Sequence, residues 1–162
     1  MKKVIILSLL LGWQFISAQE TYHQTKEVAN HLNWLTDFNQ AKAIAKKEHK
    51  PILMLFTGSD WCPPCRAMHN ELFPNEEFQR VAKDVVLVMV DFPRRKPMSK
   101  EQRAKNDILR RKFHKGGVPT FIAVTYDEKF LGKMGGYRFG HPERNIDFFK
   151  QMIEKNKKKT QK

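Results

Sequence analysis

Only two cysteines occur in this chain of 162 residues, Cys62 and Cys65. A single pair excludes a scaffold held together by several disulfides, so stability must come from a packed core. It also leaves out the second Cys/His pair that zinc sites ordinarily require. Acidic residues are scarce: 17 Asp and Glu face 30 Lys and Arg, a formal net charge of +13. Membrane-length apolar runs are missing. Val4–Leu11 is too short and too early for a span, which needs roughly 20 residues. The pattern shows no internal repeat and no second domain.

The short apolar run follows Lys2 and Lys3 and precedes Ser17-Ala18, the arrangement of a secretory leader over residues 1–18 cut before Gln19. Ile16, at the third position back from the cut, is not the small residue such sites favour. A retained N-terminal anchor is the alternative. No cysteine follows the run, so lipid attachment there is excluded. The expected location is periplasmic or otherwise exported, an oxidising compartment. Losing Lys2 and Lys3 leaves 28 basic against 17 acidic residues on a chain of about 144, enough for one domain with a core. Arg94–Lys115 holds ten basic residues and two acidic ones, Glu101 and Asp107. Lys150–Lys162 holds six and one.

Residues 19–32 read as a polar lead-in, and Asn33–Leu35 as a short edge strand. Thr36 reads as a helix N-cap with Leu35 as a hydrophobic staple. Phe38, Ala41, Ile44 and Ala45 then recur at helical spacing to His49. Pro51 ends that helix, and Ile52–Phe56 is a buried strand. After the Gly58-Ser59 turn, a helix from Cys62 reaches Phe73, and Pro74 interrupts it. Asn75 caps a short helix carrying Phe78 and Val81. Val85–Asp91 is apolar throughout, as in a strand buried on both faces. Ser99 with Gln102 resembles a capping box opening a helix to Phe113, ended by Gly116-Gly117. Thr120–Thr125 and Phe130–Met134 form a hairpin across Tyr126–Lys129. Pro142 starts a last helix with Ile146, Phe149 and Ile153, and 156–162 is a frayed basic tail. The pattern predicts one α/β domain over 33–155, a mixed sheet with helices on both faces.

The chemistry concentrates in Trp61-Cys62-Pro63-Pro64-Cys65. Positions i and i+3 share a helix face, so the two sulfurs can join as a disulfide or separate as thiols. With Cys62 as N-cap, Pro63 takes the first helical position, which proline favours. Pro64 loses nothing, because the first four N–H groups lack helical partners. The helix start favours thiolate at Cys62. Pro64 has no N–H to offer, so only Cys65 N–H can cap the Cys62 sulfur, which predicts moderate activation. Two rival readings stay open here: a soft-metal site joined by Met68 or His69, and a structural disulfide. Closing so short a loop would restrain the unfolded chain little.

Trp61-Cys62-Pro63-Pro64-Cys65 behind an apolar strand resembles the thioredoxin active site. Gly117-Val118-Pro119-Thr120, about 54 residues downstream, resembles the thioredoxin loop whose proline is cis and faces the disulfide. The stretch from Lys50 to Cys65 is similar to thioredoxin-like domains of bacterial cell-envelope proteins. The resemblance covers about Asn33 to Lys155. It implies the thioredoxin fold and an exported thiol–disulfide oxidoreductase in which Cys62 and Cys65 are catalytic. Trp61, Val118 and Pro119 would bind substrate, Val118 through its backbone beside an incoming strand. No cofactor and no metal are expected. The implied partners are protein disulfides or dithiols and a membrane thiol electron donor or acceptor, with the protein itself a monomer.

The chain departs from the family at one position. Thioredoxins commonly carry a buried aspartate six residues before the first cysteine, and here that residue is Phe56. Proton transfer from Cys65 must use water or another group, with Glu71 and His69 as weak candidates. Asp60 either raises the Cys62 pKa by like charge or is a solvated loop residue. The Arg94–Lys115 stretch is either a solvated face or a surface for an acidic partner or anionic lipid, by steering that fades with salt. Nucleic acid is not an expected partner, since Phe92, Phe113 and Tyr126 form no interleaved stacking set. The expected role is reductant or relay rather than strong oxidant. A non-catalytic binding module with a structural disulfide is the alternative, and copper or zinc handling by the two thiolates a further one.

Overall fold

A computed structural model describes residues 32–160. The leader expected over 1–18, and the lead-in up to His31, lie outside them. Ten elements follow in order: β1 (Trp34–Leu35), α1 (Phe38–Glu48), β2 (Ile52–Thr57), α2 (Pro63–Glu71) and α3 (Glu76–Ala82), then β3 (Val86–Asp91), α4 (Lys100–Phe113), β4 (Thr120–Val124), β5 (Phe130–Gly135) and α5 (Glu143–Thr160).

The sheet order is β1-β3-β2-β4-β5. β1 and β2 both run parallel to β3, while β4 is antiparallel to β2 and to β5. Every residue of β2 and β4 is buried, because both faces of the sheet are covered. The strand period of two divides β2 between two cores. Ile52, Met54 and Phe56 pack with Val88, Val90, Ile122 and Leu109 on the side that receives Ala41 and Ala45 of α1. Leu53 and Leu55 pack on the other side with Met68, Phe78, Phe121 and Phe149 from α2, α3, β4 and α5. Phe149 is fully buried, its ring 5.0 Å from those of Phe78 and Phe121. Gly132 lets α5 approach β5, since a Cβ there would overlap the Met152 thioether.

Local chemistry corrects several boundaries. The α1 N-cap is Asp37 rather than Thr36. Its carboxylate accepts the N–H of Asn39 and of Gln40, at 2.9 and 3.1 Å, and a carboxylate is the stronger acceptor at that end of the helix dipole. Ser99 caps α4 through the Gln102 N–H at 3.0 Å, but the capping box is only half made. The Gln102 amide turns instead to Thr36 O and Asn106 Oδ1. Gly116-Gly117 does not cap α4: His114 in extended conformation does, and neither glycine has positive φ. The α5 helix runs to Thr160 instead of fraying after Lys155. Asn156 is buried and donates to His49 O at 2.9 Å, which ties the last turn to the end of α1.

Candidate active site

Strand β2 delivers the chain to a turn at Gly58, and α2 starts at Pro63. Cys62 is the N-cap, in extended conformation, with Pro63 and Pro64 in the first turn. Cys65 N–H points at Cys62 Sγ, 3.3 Å away. It is the one amide in the first turn placed to do so, as the two prolines require. Cys62 and Cys65 are joined as a disulfide, and each residue is only 3% exposed.

The loop before β4 comes up to this sulfur pair. The Val118–Pro119 peptide is cis, and Val118 O lies 3.6 Å from Cys62 Sγ. Pro119 O accepts the N–H of Gly136 at 2.8 Å, which ties the loop to the end of β5. Gly117 O accepts from Thr120 Oγ1 at 2.8 Å and lies 2.8 Å from His114 Nε2. Of the residues singled out in the sequence, Cys62, Cys65 and Val118 thus meet directly, with Pro119 next to Val118.

Trp61 packs back onto the turn. Its indole N–H donates to Phe92 O at 2.8 Å. One side of the ring closes over Gly58, where a Cβ would overlap the indole. The Arg94 guanidinium sits 3.9 Å from the ring centroid on Trp61, a cation–π contact. Trp61 is half-buried.

Asp60 has a role that neither reading supplied. Its carboxylate accepts three consecutive amides of the basic loop: Arg94 at 3.0 Å, Arg95 at 2.6 Å and Lys96 at 2.8 Å. Desolvation pushes its pKa up, but the amides of Arg94, Lys96 and Arg95 and its own outweigh that and hold it at about 2. The charge is spent on folding the loop. Asp91 does the same for the turn, accepting Ser59 N–H at 2.9 Å and Ser59 Oγ–H at 2.6 Å.

Glu71 is engaged elsewhere, and His69 shares a cavity lining with Cys65 without a hydrogen bond to it. Glu71 ends α2 and accepts Tyr137 Oη–H at 2.8 Å and Gly140 N–H at 2.7 Å, a link to the segment after β5. His69 is exposed, its ring 5.1 Å from that of Phe73. Phe56 is fully buried, and the titratable group against it is one the sequence did not suggest: His114, 3% exposed, with ring centroids 4.8 Å apart. Its Nδ1 is buried without a partner. Burial pushes the imidazole pKa down, and Lys133 and Arg110 add to this, against opposing hydrogen bonds to the Gly117 and Gly116 backbone. Nothing in the pattern marked it, since a histidine just past a helix usually reads as surface.

In the basic stretch, Lys105 pairs with Asp37 and Glu101, and Lys112 with Glu128. All ten of its basic residues are exposed. Among the described residues no three His, Cys, Asp or Glu side chains converge as a metal site.

A family profile described as thioredoxin-like matches residues 33–125. The chain is 35% identical over 118 residues to the disulfide bond reductase DsbH of Chlamydia pneumoniae, covering 72% of this chain and 70% of that one. It is 28% identical over 100 residues to the thiol:disulfide interchange protein DsbD of Pasteurella multocida, covering 62% of this chain but only 16% of that one. A solved structure of DsbH oxidoreductase superposes with a TM-score of 0.66 at 30% identity, over 76% of this chain and 85% of the other. The chain belongs to the thioredoxin-like family and is a thiol–disulfide oxidoreductase.

Proposed function

We propose that this protein is an exported thiol–disulfide oxidoreductase that works as a reductant or relay, with Cys62 attacking and Cys65 resolving. The observation that carries the assignment of roles is the N-cap position of Cys62. Its sulfur faces Cys65 N–H at 3.3 Å and Val118 O at 3.6 Å. Once the disulfide is reduced, the helix start and that amide favour a thiolate on Cys62.

The Cys62 thiolate attacks one sulfur of a substrate disulfide. A Cys62–substrate mixed disulfide forms and the other substrate sulfur leaves as thiolate. Cys65, deprotonated, then attacks Cys62 Sγ. The second substrate thiolate leaves, and Cys62–Cys65 is oxidised while the substrate has gained two electrons. Trp61 and the Val118–Pro119 loop flank the entry to Cys62, and an extended substrate segment lies along Val118 as an added strand.

The direction rests on the relatives, one named a disulfide bond reductase and another a thiol:disulfide interchange protein. Export rests on the leader pattern of residues 1–18 and is tested by sequencing the N-terminus of the secreted form, expected at Gln19. A reductant in an oxidising compartment needs electrons from a membrane thiol partner, and the exposed Arg94–Lys115 face attracts an acidic one. The protein acts as a monomer.

Equilibration with glutathione tests the direction. A potential near about −270 mV supports the reductant. One near about −120 mV would make the protein an oxidant of exported thiols.

A further inference from the structure

A cavity of about 390 Å³ opens beside Cys65. None of Trp61, Cys62, Val118 and Pro119 lines it. Its floor is apolar and largely buried: Leu55, Met68, Phe73 and Met89. Its exposed rim carries Arg66, His69 and Lys96. No carboxylate lines it. Neither Arg66 nor Lys96 takes part in an ion pair among the described residues.

The loop that carries Lys96 is held in place. Lys96 N–H is fixed by Asp60 Oδ2 at 2.8 Å, so the loop brings this lysine to the cavity rather than leaving it on a free tail. Ser59, another lining residue, is locked to Asp91 through both its N–H and its hydroxyl. The volume falls in the range of small-molecule sites, roughly 300–1,000 Å³.

We infer that this cavity binds a small organic anion, a carboxylate or sulfonate carried on an apolar body, alongside the resolving cysteine. Charge decides the head group. Two cations without an ion pair and an imidazole stand in the lining and no acid does, since Asp60 and Asp91 are engaged behind it with the Lys96 N–H and with Ser59, which disfavours a cation and leaves a neutral ligand no matching charge. The floor decides the rest, since Leu55, Met68, Phe73 and Met89 offer apolar contact that an inorganic ion cannot use. The site shares Cys65 with the disulfide and none of Trp61, Cys62, Val118 and Pro119, so its occupant lies against Cys65.

The test uses 8-anilinonaphthalene-1-sulfonate, an apolar sulfonate whose fluorescence rises on binding, with the oxidised full-length protein. Lys96→Glu reverses a rim charge. Arg95→Glu makes the same change one residue away, outside the lining. Thermal unfolding of each variant confirms that it is folded. One saturable site is expected. Its affinity should fall at least about fivefold in Lys96→Glu, the order expected for one charge at close range, and less than twofold in Arg95→Glu. Asn70→Trp, at an exposed lining position, should also weaken binding by filling the opening. Absence of saturable binding overturns the inference. So does equal weakening by the two charge reversals, which would mean general attraction to a basic surface.

Discussion

The ring of His114 packs against the ring of Phe56 with centroids 4.8 Å apart, at the position where thioredoxins commonly carry a buried aspartate. A buried acid is thus replaced by a buried aromatic with a buried base beside it. The imidazole also holds the loop before β4, with Nε2 2.8 Å from Gly117 O. That contact makes Nε2 the protonated nitrogen and leaves Nδ1, which is buried without a partner, as the lone-pair site.

This arrangement predicts an acid weakness. The folded protein holds His114 below its ordinary value of 6.5, chiefly by desolvation. As pH drops below 6.5 the unfolded chain takes up a proton that the folded chain refuses. Stability is therefore complete above that value, declines as pH falls toward the folded pKa, and levels off beneath it. Urea denaturation between pH 7.5 and 5 should show this decline in the wild type and much less of it in His114→Gln, whose amide can still donate to Gly117 O. Parallel curves for the two would contradict it.

Gly58 is fixed by packing rather than by backbone conformation, since its φ is not positive. A Cβ there would overlap the indole of Trp61, which is held by Phe92 O and stacked by Arg94. Gly58→Ala should cost about 1–3 kcal/mol, the usual penalty of overpacking, and should lower thiol–disulfide exchange activity as Trp61 is displaced. Denaturation followed by tryptophan fluorescence measures the first and a thiol–disulfide exchange assay the second. A neutral substitution would mean that the indole can move freely.

Asp60 is predicted to act on the loop and not on the cysteines. Asp60→Asn keeps the shape but weakens the acceptor, so amide hydrogen exchange at Arg94, Arg95 and Lys96 should speed up while Cys62 reactivity stays close to wild type. In the wild type the carboxylate stays ionised to about pH 2. The same amides should therefore remain protected at pH 4. Unchanged exchange in Asp60→Asn, with altered Cys62 reactivity, would return the residue to the role of a like charge beside the thiolate.

Much of the site could be read from the sequence because its signals are local. Proline at two successive positions after Cys62 forces both the helix start and the single available capping amide, and Cys65 N–H is where that reasoning puts it. The continuous apolar run of Val85–Asp91 and the hairpin after Thr120 place the sheet in the same way. What escaped is set by contacts between residues far apart in the chain. Asp60 meets its amides across 34 to 36 residues, and His114 meets Phe56 across the fold. Asp37 displaced Thr36 as a cap because both can cap and the carboxylate is the stronger acceptor at the helix start. The tail beyond Lys155 looked too charged to hold a helix, yet Asn156 anchors it to His49 O.

The account turns on Cys62 as attacking sulfur and Cys65 as resolving sulfur, and trapping tests this most directly. The single variants Cys65→Ser and Cys62→Ser are reduced and mixed with a protein disulfide substrate, then quenched in acid and separated without reductant. Cys65→Ser should accumulate a mixed disulfide with the substrate through Cys62, because nothing remains to resolve it, and Cys62→Ser should accumulate little. Equal trapping by both variants, or trapping only by Cys62→Ser, would contradict the assignment.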